Sequence, residues 1–358
     1  MKVGRDLADL ASEIERQAKS KRDYIAPAAR MQMVVYEDAA GRRPHMTFYN
    51  GALTSLAIGE TAHEQIGTRL EIPRGYYDRM RTSSPELLTM NVNHWLSTNP
   101  ERKFMVRTLD NSMRALLSDR YRPLDNYELV HAVLDKLTTA GCHVMSCELT
   151  ERRLYLKAVT PKISGVIKVG DRVQAGLIIT NSEIGLGAIK IEPFIYRLVC
   201  ENGAIVNDLA MRRQHVGRKQ QFMELDNAEQ YYRDETRRAD DRAFWMKVRD
   251  VVDAMIDEAI FNKIIDRWKE ATEQKITKDP VDVVEVTAKK FGLADSERSS
   301  VLTHLIQGGD LSAYGLMNAI TRTAHDVESY DRSTDLERLG PEILELPRQA
   351  WRELAEKN

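Results

Sequence analysis

Ser118-Asp119-Arg120-Tyr121-Arg122-Pro123 sets two arginines around a tyrosine at the exit of an expected hairpin. Guanidinium groups match phosphate geometry in a bidentate fashion, so this is a phosphate-binding pattern. Arg152 and Arg153 open an expected strand that also carries Tyr155 and Lys157. A second basic run, MRRQHVGRKQQ, supplies Arg212, Arg213, His215, Arg218 and Lys219, with Gly217 allowing close backbone approach. Single-stranded nucleic acid is held by this combination of cations along the backbone and aromatic faces for the bases. Tyr121 and Tyr155 are the expected stacking rings. The plainer reading is that these arginines are ion-paired surface residues.

Other chemistry is poorly supported. There is no G-x-x-x-x-G-K-[ST], so ATP hydrolysis has no phosphate loop, and Gly185 and Gly187 lead into a strand and make a turn. Cys142, His143 and Cys147 are close together, but no second cluster completes four zinc ligands, which leaves core cysteines. H-E-x-x-H and G-x-S-x-G are both missing. Glu183 and Glu192 are the isolated carboxylates on expected strands that a metal-dependent nuclease would have to use. No catalytic residue, metal or cofactor is assigned.

The elements that position the basic residues follow from periodicity. A charged helix begins the chain, and MQMVVYE and HMTFYN form a hairpin across AAGRRP. Residues 60–98 read as short helices, with Thr61, Pro73 and Ser84-Pro85 as start signals. KFMVRTL and MRALLSD flank Asp110-Asn111-Ser112 as a second hairpin. Asp125 caps a helix in NYELVHAVLDKLTTAG that Gly141 closes. Residues 142–206 are four strand-like runs, with breaks at Thr150-Glu151, Pro161 to Gly170 and Gly185 to Gly187. From about residue 223 the period is helical: Phe244, Val248, Val251, Val252, Met255, Ala259 and Ile260 make one apolar stripe. Breaks are expected at Pro280, Gly308-Gly309 and Gly340-Pro341.

The expected fold class is therefore α+β, a central antiparallel β-meander with flanking helices followed by a helical C-terminal region. The expected division is a 1–222 α+β core and a 223–358 acidic helical region. Charge follows it: Lys and Arg exceed Asp and Glu by six in residues 101–222 and fall short by nine in residues 223–358, against a net charge of −2. A basic middle with an acidic arm suits a polyanion binder. At 42% apolar and 30% charged, the composition is that of a globular chain. Three cysteines make a disulfide framework improbable, and no stretch reads as a membrane span or secretory signal, so the cytoplasm is expected.

VRTLDNSMRALLSDRYRPLDNYELVHAVL, IITNSEIGLGAIKIEPFIYRLVCENGAIV and GGDLSAYGLMNAITRTAHDVESYDRSTDLERLG resemble the phage/plasmid-like proteins grouped as domain of unknown function 932, over about residues 45–345. The resemblance implies accessory genes of replication, recombination or defence evasion, with no mechanism. More distantly, the helix, meander and basic helical segment are similar to phage single-strand annealing proteins of the Red-beta, RecT and Erf type. That likeness implies ATP-independent rings or filaments on single-stranded DNA, with the C-terminal part contacting host proteins. The modest basicity departs from it. The leading expectation is a non-enzymatic single-stranded DNA-binding and annealing protein that forms homo-oligomers. The alternatives are a protein–protein module that inhibits a host defence factor through the acidic helices, and a metal-dependent nuclease.

Overall fold

The structure, a computed structural model, describes residues 1–38, 41–49, 51–206, 211–213 and 234–356. Its fold is α+β, with two sheets and a helical C-terminal region. The charged helix expected at the start is α1 (Leu7–Ser20), whose cap Asp6 accepts from the Ala8 amide at 2.8 Å.

Six strands make the first sheet: β1 (Arg22–Pro27), β2 (Met31–Asp38), β3 (Gly41–Tyr49), β4 (Leu53–Ile58), β5 (Lys103–Leu109) and β6 (Ser112–Ser118). Their order is β1-β5-β6-β4-β3-β2, all antiparallel except the β4–β6 pair. Both expected hairpins are present as β2–β3 and β5–β6. Asp110 and Asn111 take φ of 51° and 60°, the left-handed pair that a two-residue hairpin turn requires and that Asp and Asn tolerate. The edge strands β1 and β2 are joined by only Ala28–Arg30. Four Cα steps reach about 15 Å, whereas six flat strands would hold their edges about 24 Å apart. The sheet must therefore curl.

Between β4 and β5 come α2 (Glu60–Arg69), α3 (Arg74–Ser83) and α4 (Pro85–Thr98), the short helices expected there. Ile66, Tyr77, Met80, Leu88, Val92 and Leu96 pack from these helices onto Met33, Met46, Phe48, Phe104, Val106 and Leu116 of the sheet. Leu88, Val92 and Leu96 recur every fourth residue, so α4 buries one stripe and leaves its flank to solvent.

After α5 (Asn126–Thr139), β7 (His143–Leu149), β8 (Leu154–Lys168), β9 (Asp171–Asn181), β10 (Ile189–Arg197) and β11 (Asn202–Ile205) form the second sheet. Each pairs antiparallel with the next, the expected meander, and β12 (Met211–Arg213) adds to β10. One face packs under α1, α5 and α6 (Asp234–Met255). The other face and one end pack against the remaining helices: α7 (Glu258–Glu273), α8 (Pro280–Phe291), α9 (Asp295–Gly308), α10 (Ala313–Thr323), α11 (Tyr330–Glu342) and α12 (Arg348–Ala355). Two covered faces explain why β9 and β10 read as near-continuous apolar runs.

Four local expectations need correction. β8 does not break at Pro161: the strand continues to Lys168, and the register slips between Thr160 and Ser164, a bulge that spares proline the amide it lacks. α11 runs through Gly340-Pro341 to Glu342, and a Cβ at Gly340 would sit 2.4 Å from Thr321 Cγ2, so this glycine serves the close crossing of α10 and α11. The apolar stripe from Phe244 spans two helices, because Asp257 caps α7 by accepting from the Ile260 amide at 2.9 Å. Its Phe244, Val248 and Val252 are core residues and are not a free surface. Asp125 stands at the α5 cap position, but its carboxylate is given to Arg107 (2.8 Å) and Lys21 (3.1 Å). The division at residue 222 lies outside the described residues.

Candidate nucleic-acid interface

The basic residues singled out in the sequence are not brought to one face. Tyr121 is buried, its hydroxyl donating to the Ser182 and Glu183 carbonyls at 3.3 and 3.2 Å. Tyr155 is buried with its hydroxyl on Asp331 Oδ1 at 2.5 Å. Neither ring has a face to offer a base, which corrects the expected stacking role. Lys157 is fully enclosed, paired with Glu337 and 4.7 Å from the Tyr330 ring centroid, so it is a core cation and reaches no phosphate. Tyr155 and Lys157 do lie in one strand, β8, but α11, more than 150 residues away in sequence, covers the face they share.

Arg122 is held by Asp240 and Asp241 of α6, and Arg152 donates to both Glu64 oxygens at 3.2 Å. Arg153 donates to the Leu186 carbonyl at 2.9 Å. Arg212 and Arg213 lie in β12, their backbones opposite Lys190 and Ile189. His215, Arg218 and Lys219 lie outside the described residues. Among the described residues of this set, Arg120 is exposed with its amide as the one engaged group, donating to Ser118 Oγ at 3.1 Å.

Around Arg120 the structure assembles a cationic cleft from residues that the sequence reading passed over. In the β5–β6 register Phe104 faces Ser118, so the entry to β5 and the exit of β6 are neighbours. This brings Arg102 and Lys103 beside Asp119 and Arg120. Arg69, at the end of α2, is pinned to β6 by its Nε on the Leu116 carbonyl at 2.6 Å. Arg102 donates to the Arg69 carbonyl at 3.1 Å and lies 5.0 Å over the Phe104 ring. A cavity of about 400 Å³ opens between these four cations, with Glu101 and Asp119 also on its wall. None of Arg69, Arg102, Lys103 and Arg120 is ion-paired among the described residues. Burial, with the Arg102 charge beside it, pulls the Arg69 guanidinium below its ordinary value. An anion placed in this cleft would relieve that repulsion and take up the free donors.

A buried ionic seam holds the cleft's hairpin to the second sheet. Arg107 of β5 reaches Asp23 of β1 at 2.9 Å, Asp125 at 2.8 Å and the Glu183 carbonyl at 2.8 Å. Glu183, just after β9, takes Lys21 at 2.8 Å and Arg114 at 3.1 Å, and accepts the Asn126 amide at the start of α5 at 2.7 Å. Burial alone would lower the Arg107 affinity for its proton, but Asp125 and Asp23 outweigh it and raise the value. Glu192 is likewise paired, with Arg338 at 2.7 Å. Both carboxylates that a nuclease would draw on are thus neutralised by cations, and among the described residues no three His, Cys, Asp or Glu group as metal ligands. Cys142, Cys147 and Cys200 carry free thiols, the first two buried as core cysteines.

These features define an α+β protein of two sheets, one curled and one covered on both faces, with a cleft on the curled sheet whose four cations form no ion pair among the described residues. The chain belongs to the family described as Domain of unknown function (DUF932), whose model matches residues 115–339. That span runs from within β6 to within α11. It includes Arg120 and leaves Arg69, Arg102 and Lys103 outside. No curated protein and no solved structure matches the chain. No helix among the described residues is long and apolar enough to cross a membrane.

Proposed function

We propose that the protein binds single-stranded DNA without ATP and holds it for annealing, in the recombination or replication of a phage or plasmid. The observation that carries this reading is the cluster around one cavity of four cations without carboxylate partners among the described residues. In an ion-paired surface arginine the charge is balanced by its carboxylate. Unpaired ones packed together repel, and their natural complement is a polyanion. The basic run from Arg212 to Lys219, which begins in β12, is the second contact in this reading.

The test is anisotropy of a labelled thirty-nucleotide oligothymidylate across a salt series, with particle mass recorded in the same samples. The four cleft cations alone contribute about −3 to the slope of log K against log salt, and the second contact steepens it further. R102E/R120E should weaken binding by at least about tenfold and flatten the slope by roughly 1.4. R212E/R213E measures the second contact. Annealing predicts faster pairing of complementary strands and growth into large assemblies. Absence of binding at low salt, or a charge-reversed cleft that binds like the wild type, would overturn the reading.

A further inference from the structure

A second cavity, of about 330 Å³, adjoins the cationic one and shares Arg69, Arg102 and Phe104 with it. Its aromatic wall is Trp95 on the flank of α4. Large rings are usually buried, but Trp95 remains 45% exposed because the buried stripe of α4 runs through Leu88, Val92 and Leu96. The ring is nevertheless held. Its Nε1 donates to Asn91 Oδ1 at 3.0 Å one turn back, and His94 meets it edge-on at 5.2 Å. With its one polar atom satisfied, what Trp95 offers to a ligand is its π surface.

We infer that Trp95 is the base-stacking platform of the cleft: a nucleobase lies against its ring while the attached phosphate sits among Arg69, Arg102, Lys103 and Arg120. The inference rests on the nucleic-acid reading above and adds a ligand geometry to it. Arg102 belongs to both cavities, so the phosphate and base subsites share a wall. The charge complementarity selects a ligand with an aromatic ring next to an anion, and a nucleotide of a single strand has that form. In a duplex both faces of each base are already stacked, so Trp95 has nothing to engage there. The cations serve either form of DNA, and the indole makes the preference for single strands.

The experiment compares an oligothymidylate with a duplex of equal length for the wild type, W95A and W95F, with circular dichroism confirming each fold. The ratio of single-strand to duplex affinity should fall about tenfold in W95A and be largely retained in W95F. A 5-iodouracil oligonucleotide should crosslink on illumination to the peptide that contains Trp95. If W95A leaves the ratio unchanged, or the crosslink maps elsewhere, stacking at Trp95 is overturned while the phosphate cleft stands. If the wild type binds neither strand, the nucleic-acid reading itself has failed.

Discussion

Glu183 is the residue on which the architecture converges. It is 2% exposed, faces two cations and caps α5 through the Asn126 amide. Removing one side of a buried ionic cluster strands the other, so Glu183→Gln should cost about 3–5 kcal/mol in urea denaturation. His63 makes a different prediction. Its Nδ1 lies 2.8 Å from the Tyr77 hydroxyl, and burial, aided by the Arg81 charge, pulls it from 6.5 to about 3. Between about pH 6.5 and 3 the unfolded chain takes up a proton that the folded protein refuses. Stability is therefore lost as pH falls, by up to about 1.4 kcal/mol per unit from this residue. His63→Gln should remove that slope when denaturation is compared with the wild type at pH 7 and pH 4.5. At this scale the sequence was legible where local rules decide. The Arg-Tyr-Arg pattern, however, did not separate Arg120, which has no ion-pair partner among the described residues, from Arg122, which Asp240 and Asp241 hold. Lys157 and Tyr155 could not be placed, because nothing in a strand announces that a helix 180 residues later will cover it.

Among the elements, the β5–β6 hairpin does most to build the cleft. Asp110 and Asn111 are both left-handed, and Asp110 is tied down by Arg16 at 2.8 Å and Ser20 at 2.6 Å. A two-residue turn sets the register at Leu109 and Ser112, and a bulge between Arg107 and Thr108 shifts it by one residue, so that Phe104 faces Ser118 and Arg102 comes against Arg120. Counting from the turn alone sets Arg102 against Asp119 instead. The cleft was therefore not legible from the hairpin, because no residue in the two strands announces the bulge. Asn111→Gly should be neutral or stabilising, whereas Asn111→Val should cost roughly 1–2 kcal/mol and weaken DNA binding with it. Thermal melts read beside anisotropy would check both parts. Pro161 and Gly340 mark the limit of local reading. Each is a breaker by rule, and each was kept in its element by a bulge or a helix crossing that only the partner element reveals.

For the molecule as a whole, composition separated a basic middle from an acidic end, but packing does not respect that line. Phe244, Val248 and Val252 of α6 complete the core under the second sheet, and α10 and α11 cover its other face. A fragment ending at residue 222 would leave β8, β9 and β10 bare on wide apolar surfaces. It should lose the cooperative unfolding of the full chain and bind a hydrophobic dye, which calorimetry and dye fluorescence would detect. The α+β class and the meander were legible because alternation and turns declare them. The curled first sheet was not, since β1 and β4 carry weak patterns and the parallel β4–β6 pairing joins segments more than fifty residues apart.

The curl has one more consequence. The three-residue link from β1 to β2 lies outside any strand, yet its Ala28 and Ala29 amides are bonded to the Arg102 and Pro100 carbonyls at 2.8 and 3.0 Å. Ala28 also lines the Trp95 cavity. The clasp that closes the sheet is thus part of the cleft wall, and its two amides can exchange with deuterium only when that wall opens. Their exchange rate measures how often the cleft breathes, and a nucleotide seated against Arg102 should slow both amides together while the β7–β8 ladder exchanges as before.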